Sequence, residues 1–245
     1  LVGGDFTEID SVSTGCAAVL GYTTGTLTGP LTFGSPSNTV RTIVVGEDDY
    51  IYMGGVFTSV YSQIDRRRLV RFNNDASLSP DGAWNPVPLG TDVKCVAIST
   101  TASSTKMGVG GDMFSVGAHR RNRIAALDAT GKLKSWYPTG GANDTVRTIE
   151  YTGNGKLYIG GDFTTVGGST RNRIAELNPS TAAVMSFNPN ADGAVHAVVS
   201  DGTTVYAGGD FDSLGGVDAA GIARWDGSAW TPLGAGVDGS VRDLL

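Results

Sequence analysis

A single basic residue recurs at near-constant spacing, each time directly after a valine: Arg41, Lys94, Arg147, His196 and Arg242. If the fold gathers these five side chains around one axis, they form a cationic ring able to attract a carboxylate, a sulfate or an acidic sugar. Shortly before each lies an acidic or amide residue: Asn38, Asp92, Asp144, Asp192 and Asp238. Two readings follow. The two series neutralise one another as ion pairs between neighbouring units, or the five basic residues with Asp92, Asp144, Asp192 and Asp238 line a ligand site at a channel mouth. Carboxylates converging on an axis also suit glycosidic cleavage, whose mechanism is decided by their separation.

A second constellation is Asp5, Asp112, Asp162 and Asp210, each just after a Gly-Gly pair. Arg123 and Arg173 follow their Asp by the same interval, and Arg67 stands there in the unit that carries Val56 instead of Asp. This pattern predicts an Asp–Arg loop clamp. Calcium needs six or more converging oxygens, and no calcium-loop spacing occurs, so neither a metal nor a cofactor is expected. His119 and His196 fall in different units, and the chain lacks a G-x-S-x-G elbow, a phosphate-cradling glycine loop and zinc spacing. An enzyme is therefore not the expectation. Cys16 and Cys95 are read as buried small hydrophobes too far apart to bond. Trp84, Trp136, Trp225 and Trp230 suit packing between units, with sugar stacking as the alternative for the outer ones. The sequon Asn143-Asp144-Thr145 is placed in an exposed turn.

The elements that must carry these residues announce themselves as a repeat. Gly-Gly pairs stand at Gly3-Gly4, Gly54-Gly55, Gly110-Gly111, Gly160-Gly161 and Gly208-Gly209, at intervals of 51, 56, 50 and 48 residues. The fourth copy shows the unit: Val146 to Tyr151, Leu157 to Phe163, Arg173 to Leu177 and Met185 to Pro189. Each stretch is short, apolar or alternating, and bounded by Gly, Asn, Asp or Ser, which reads as a strand; the links between them read as hairpin turns. An aromatic recurs at the fourth strand as Phe33, Trp84, Trp136, Phe187 and Trp230, and the last four stand two residues before a proline, as befits an outer edge.

Four antiparallel strands per unit of about 50 residues match the blade of a β-propeller. The fold class expected is therefore all-β, a five-bladed β-propeller. The blades divide as 1–36 with 237–245, 37–89, 90–140, 141–190 and 191–236. In this reading Leu1–Phe6 pairs with Val241–Leu245, so that N-terminal strands plus a C-terminal strand close the ring, with one hairpin turn missing. The chain opens at Leu1 without an initiator Met and reads as part of a longer protein.

The units Leu157-Tyr-Ile-Gly-Gly-Asp-Phe163 with Arg171 to Leu177, and Ile222 to Leu233, resemble the delta-60 type propeller repeats of bacterial, fungal and phage extracellular proteins. They are more distantly similar to kelch-type repeats, whose copper-oxidase members need Tyr and His ligands that two histidines do not supply. The resemblance implies a secreted, cell-surface or virion-attached propeller without assigned catalysis.

Composition agrees. The 245 residues include 36 Gly, 40% are hydrophobic, and the formal net charge is −6. That charge argues against nucleic-acid or anionic-membrane partners, and the sequence has no run of 18 apolar residues. Abundant Thr, Ser, Gly and Asn with few Lys suits extracellular and virion surfaces. The functional expectation is a non-enzymatic platform for a protein or glycan partner or for other subunits of its own assembly. Its partner face would carry Arg66-Arg67-Arg68 and Arg120-Arg121. The alternative is a glycan-active enzyme or lectin at the channel mouth.

Overall fold

The computed structural model describes residues 2–6, 8–9, 12–13, 16–18, 36–46, 48–61, 64–75, 78–101 and 104–245. Among them every regular element is a β-strand, all pairing is antiparallel, and no helix is long and apolar enough to cross a membrane. Unit by unit, the sheets follow the Gly-Gly repeat. Unit 2 pairs Val40–Val45, Tyr50–Gly55 and Leu69–Asn73; unit 3 pairs Pro88–Thr101, Ser104–Val116 and Ile124–Leu127. Unit 4 pairs Val146–Tyr151, Leu157–Gly161 and Ile174–Leu177; unit 5 adds Trp230–Pro232 to Val195–Ser200, Val205–Gly209 and Ile222–Trp225. In unit 1 Val2–Gly3 pairs with Ala17–Ala18, and the fourth-strand Phe33 lies outside the described residues.

The Gly-Gly pair is what lets these sheets stack. A methyl group on Gly3, Gly54, Gly110, Gly160 or Gly208 would come within 2.5–2.7 Å of Cγ1 of Val40, Val93, Val146, Val195 or Val241 respectively. The first glycine is thus the slot that receives the first-strand valine of the following unit. The second glycine lies against a main-chain carbonyl of its own first strand, that of Thr39, Asp92, Thr145 or Ala194 in units 2 to 5. No side chain fits there, which is why Gly stands at both places.

Burial follows the stacking. Phe57, Met113, Phe163 and Phe211, two residues past the pairs of units 2 to 5, are fully buried, and the four hydrophobic clusters each join residues of two adjacent units. Phe163, for example, sits in a cluster holding Ile124 and Trp136 of unit 3 with Val146 and Leu177 of unit 4. Each sheet therefore hides its apolar faces only against its neighbours.

Three expectations are corrected. Among the described residues the fourth strand is a full strand only in unit 5; units 2, 3 and 4 have single bridges, Phe72 with Pro80, Leu127 with Leu133 and Leu177 with Val184. Pro86, Pro138 and Pro189 follow these segments and lack the N–H that would prolong a ladder. Val2–Gly3 pairs with Ala17–Ala18 alone, and residues 241–245 form no strand, so the expected Leu1–Phe6 pairing with Val241–Leu245 is not made among the described residues. Residues 241–245 are held by unit 5 instead, where the Val241 N–H donates to the Gly209 carbonyl and the valine side chain packs on Gly208. The arginine expected at 67 is instead Arg68, because the hairpin of unit 2 is one residue longer. Arg68, Arg123 and Arg173 share φ of 64°, 67° and 67°, and their carbonyls accept the N–H of Gly55, Gly111 and Gly161.

A feature not foreseen is a small hairpin between second and third strands in every unit: Glu8–Ile9 with Val12–Ser13, Ser59–Val60 with Ile64–Asp65, the end of Ser104–Val116 with His119–Arg120, Thr165–Val166 with Ser169–Thr170, and Ser213–Leu214 with Val217–Asp218. At its tip in unit 4, Gly167 and Gly168 take φ of 56° and 76°, as a tight two-residue reversal requires.

Candidate functional site: the axial cavity

The register of each first strand slips at one common place, between Val40 and Thr42, Val93 and Cys95, Val146 and Thr148, and Val195 and Ala197, and that of unit 3 slips twice more before Val93. The residue skipped is the basic one in all four cases: Arg41, Lys94, Arg147 and His196. A bulge turns its extra side chain out of the sheet's alternation, and here it turns it inward. These four side chains and Arg242 line one cavity of about 510 Å³. The structure therefore brings the five basic residues together.

Their carboxylate partners are mostly not the expected ones. Arg147 meets Asp162 of its own unit, with Nη2 2.7 Å and Nε 2.9 Å from Oδ2. Asp162 raises the affinity of that guanidinium for its proton. His196 Nε2 lies 2.6 Å from Asp210 Oδ2. Asp210 is held below the usual carboxylate range, first by the Ser240 hydroxyl and then by His196. Lys94 Nζ lies 3.9 Å from Asp112 and 2.8 Å from Asp92. The carboxylates after Gly-Gly, expected to clamp loops, thus face the axis. Their register carries the signal, since each follows the glycine paired opposite the bulge. The arginine clamp survives in part: Arg173 donates to the Asp162 carbonyl, while Arg123 Nη1 lies 3.9 Å from Asp112 Oδ1.

Unit 2 shows how the balance is kept. Val56 stands where the other units have Asp, leaving Arg41 without a partner of its own. Asp92, at the position of Thr39 and Thr145 in the neighbouring units, supplies it: Arg41 Nε is 3.2 Å from Asp92 Oδ2, and Asp92 is only 4% exposed. At the following boundary, between units 3 and 4, the ordinary arrangement returns. There Thr145 Oγ1 donates to Asp112 Oδ1 at 2.5 Å.

The remaining expected residues lie elsewhere. Asn38 and Asp144 accept the N–H groups of Thr39 and Thr145, each at 2.7 Å. Asp192 Oδ1 accepts the N–H groups of Asp212 and Ser213, fixing a hairpin base. Asp238 lines a separate cavity of about 340 Å³. Asn143 does for unit 4 what Asp192 does for unit 5: Oδ1 accepts from Thr164 and Thr165, and Nδ2 donates to Thr164 Oγ1. The sequon asparagine is therefore engaged in holding its hairpin.

Chemically the cavity is a nearly balanced ion-pair hub. Arg242 is the exception, forming no ion pair among the described residues; its Nη1 lies 3.2 Å from His196 Nε2. With the Nε2 proton directed to Asp210, that nitrogen cannot also accept from Arg242. No group of three or more His, Cys, Asp or Glu that could hold a metal occurs among the described residues. Cys16 and Cys95 are free and buried in different clusters, and burial pushes the Cys95 thiol up to about 12.

Comparison with known proteins bears on the fold. The family model described as a β-propeller domain of unknown function, DUF5122, matches residues 152–180, which span the second and third strands of unit 4. No curated protein matches. Among solved structures, the chain is similar to one described as the extracellular domain of a hybrid two-component system from B. thetaiotaomicron, with 16% identity and a TM-score of 0.38. The match covers 87% of this chain and 30% of that one.

Proposed function

We propose that this chain is a five-bladed β-propeller closed as a ring, with blades 1–36 plus 237–245, 37–89, 90–140, 141–190 and 191–236. It acts outside the cell, on a cell surface or on a virion, as a rigid non-catalytic platform for a protein or glycan partner or for other subunits of its assembly. Neither nucleic acid nor membrane insertion enters this reading.

The observation that carries it is the internal matching of the axial charges. Arg41, Lys94, Arg147 and His196 each have a carboxylate, even where Val56 removes the usual one. A hub satisfied from within serves as scaffold and leaves recognition to the loops around it. Ring closure is supported by the shared cavity and by Val241, which packs on Gly208 as Val40 packs on Gly3. By the pattern of units 4 and 5, Arg242 closes on the carboxylate after the first Gly-Gly pair, Asp5. Reversing either charge, Asp5→Arg or Arg242→Asp, then lowers the thermal midpoint, and the double reversal restores it. A double variant no better than the singles counts against closure.

A second reading, favoured by the unmatched Arg242, places an acidic ligand at the channel mouth formed by Arg41, Lys94, Arg147, His196 and Arg242, with Asp92, the one member of the expected acidic series that meets them, beside it. A glycan array separates the two. Binding retained by an Arg41/Arg147/Arg242 triple-alanine variant supports the platform; binding lost in it supports the channel mouth; turnover of a bound glycan overturns the non-catalytic reading.

A further inference from the structure

Main-chain hydrogen bonds place Thr58, Phe114, Thr164 and Asp212 at one equivalent position: their carbonyls accept the N–H groups of Arg66, Arg121, Arg171 and Ala219. Three of the four are small and polar. Phe114 is 55% exposed and is the only aromatic among the strongly exposed large hydrophobics of the described residues. The cause of the departure is local. Ser37, Asn143 and Asp192 clamp the hairpin bases of their units through side-chain oxygens. Unit 3 has Gly90 at that place, and its first strand runs on to Pro88 and pairs directly with the hairpin, Leu89 opposite Ser115. Main-chain pairing replaces the polar clamp, so the scaffold no longer asks for a small polar residue at 114. It does not ask for an exposed phenyl ring either.

That ring lines a cavity of about 640 Å³ between the hairpins of units 3 and 4, together with Arg120 and Arg123. The other walls are Asn, Thr, Ala and Gly, and no acidic residue lines it, in a chain of net charge −6. Arg120 is exposed; its Nε donates to Asn122 Oδ1 at 3.1 Å, and no ion pair engages it among the described residues. Arg123 shares the left-handed conformation of Arg68 and Arg173, and its Nη1 lies 3.9 Å from the Asp112 carboxylate. Methyls at Gly140 and Gly168 would meet nothing within 4 Å, so the floor is open to a ligand.

Resting on the platform reading, we propose that this cavity binds an acidic sugar residue. The apolar face of the pyranose ring lies on Phe114, the carboxylate is held by Arg120 and Arg123, and the hydroxyls face the polar walls. A protein partner would need an interface burying roughly 1,000 Å² in all, whereas this site offers one aromatic ring in a polar cleft, the proportions of a small-ligand pocket.

The test is isothermal titration of the whole chain with trigalacturonate, a neutral galactan trisaccharide and a glutamate-rich hexapeptide, at low and physiological salt. The variants are Phe114→Thr, the residue units 2 and 4 already carry, and Arg120→Gln. Trigalacturonate is expected to bind the parent chain, to lose at least about tenfold in affinity in each variant, and to outcompete the neutral sugar. Absence of trigalacturonate binding, equal binding by the variants, or preference for the peptide overturns the site. A glycan that still binds Phe114→Thr overturns this site while leaving the platform reading intact; turnover of a bound glycan sinks the platform reading instead.

Discussion

The axial cavity and the hairpin face between units 3 and 4 grow from the same repeat but treat departures from it differently. At the axis, loss of a carboxylate at Val56 is answered by a gain at Asp92, and Arg41 keeps a partner at 3.2 Å. At the hairpin face, loss of the polar clamp at Gly90 is answered in the main chain, and Phe114 remains as an unanswered surplus. A compensated departure maintains the scaffold, whereas an uncompensated one needs another explanation. For that reason the more regular series of residues is the weaker pointer to function.

The two phenylalanines offer the sharpest contrast. Phe163→Ala, which empties a fully buried inter-unit position, should cost about 3–5 kcal/mol, read from urea unfolding monitored by circular dichroism. A cost below about 1 kcal/mol would mean that the units do not depend on their shared cores. Next in size is Asp92→Thr, which strips Arg41 and Lys94 of a buried carboxylate and should cost about 1–3 kcal/mol. Adding Val56→Asp rebuilds the arrangement of the other units and should recover most of that loss. Failure to recover would show that the exchange is not a compensation.

A smaller effect is expected at Glu150, which shares a strand with Arg147 but faces no cation. Burial pushes its carboxyl up to about 7, opposed only by the Ser200 N–H at 3.2 Å. The folded state therefore holds this proton more tightly than the unfolded chain does. The stability so gained is full below the ordinary value of 4.5 and is lost as pH rises through about 7. Glu150→Gln should match the parent chain near pH 4.5 and exceed it at pH 8 by about 1 kcal/mol once solvent screening is allowed for. A constant difference across that range would rule out the titration. Smallest is Phe114→Thr, expected to change stability by less than about 0.5 kcal/mol. A large loss would show that the exposed ring belongs to the scaffold after all.

Much of the architecture could be read in advance because it rests on local chemistry. Gly-Gly followed two residues later by a phenylalanine, or in unit 3 by Met113, marks a slot and a plug that recur with the unit. Convergence of Arg41, Lys94, Arg147, His196 and Arg242 was legible from their common offset after valine. The acidic series was less so: Asn38 and Asp144 lie two residues before their valines, Asp92 one, and Asp192 and Asp238 three. In a strand one residue reverses the direction of a side chain, so this set never shared a face. Asp162 and Asp210 were misassigned because a bulge changes which residues meet, and a bulge is fixed by pairing rather than composition. The small hairpins did leave a trace in Gly167-Gly168 and Gly215-Gly216. Phe114 was visible as an odd letter, but its exposure depends on Gly90, 24 residues earlier, and on the strand extension that Gly90 permits.

The straddling of every hydrophobic cluster across a unit boundary bears on how the chain is made. During synthesis each unit emerges with one greasy flank bare until its successor arrives, so the growing protein carries a moving adhesive edge. A cut between units exposes such an edge permanently, whereas a nick at a turn such as Thr152–Lys156, inside a unit, leaves both flanks covered. Nicks and new termini that keep the whole chain should accordingly be placed within units, at their turns, and not at the seams where the repeat looks most divisible.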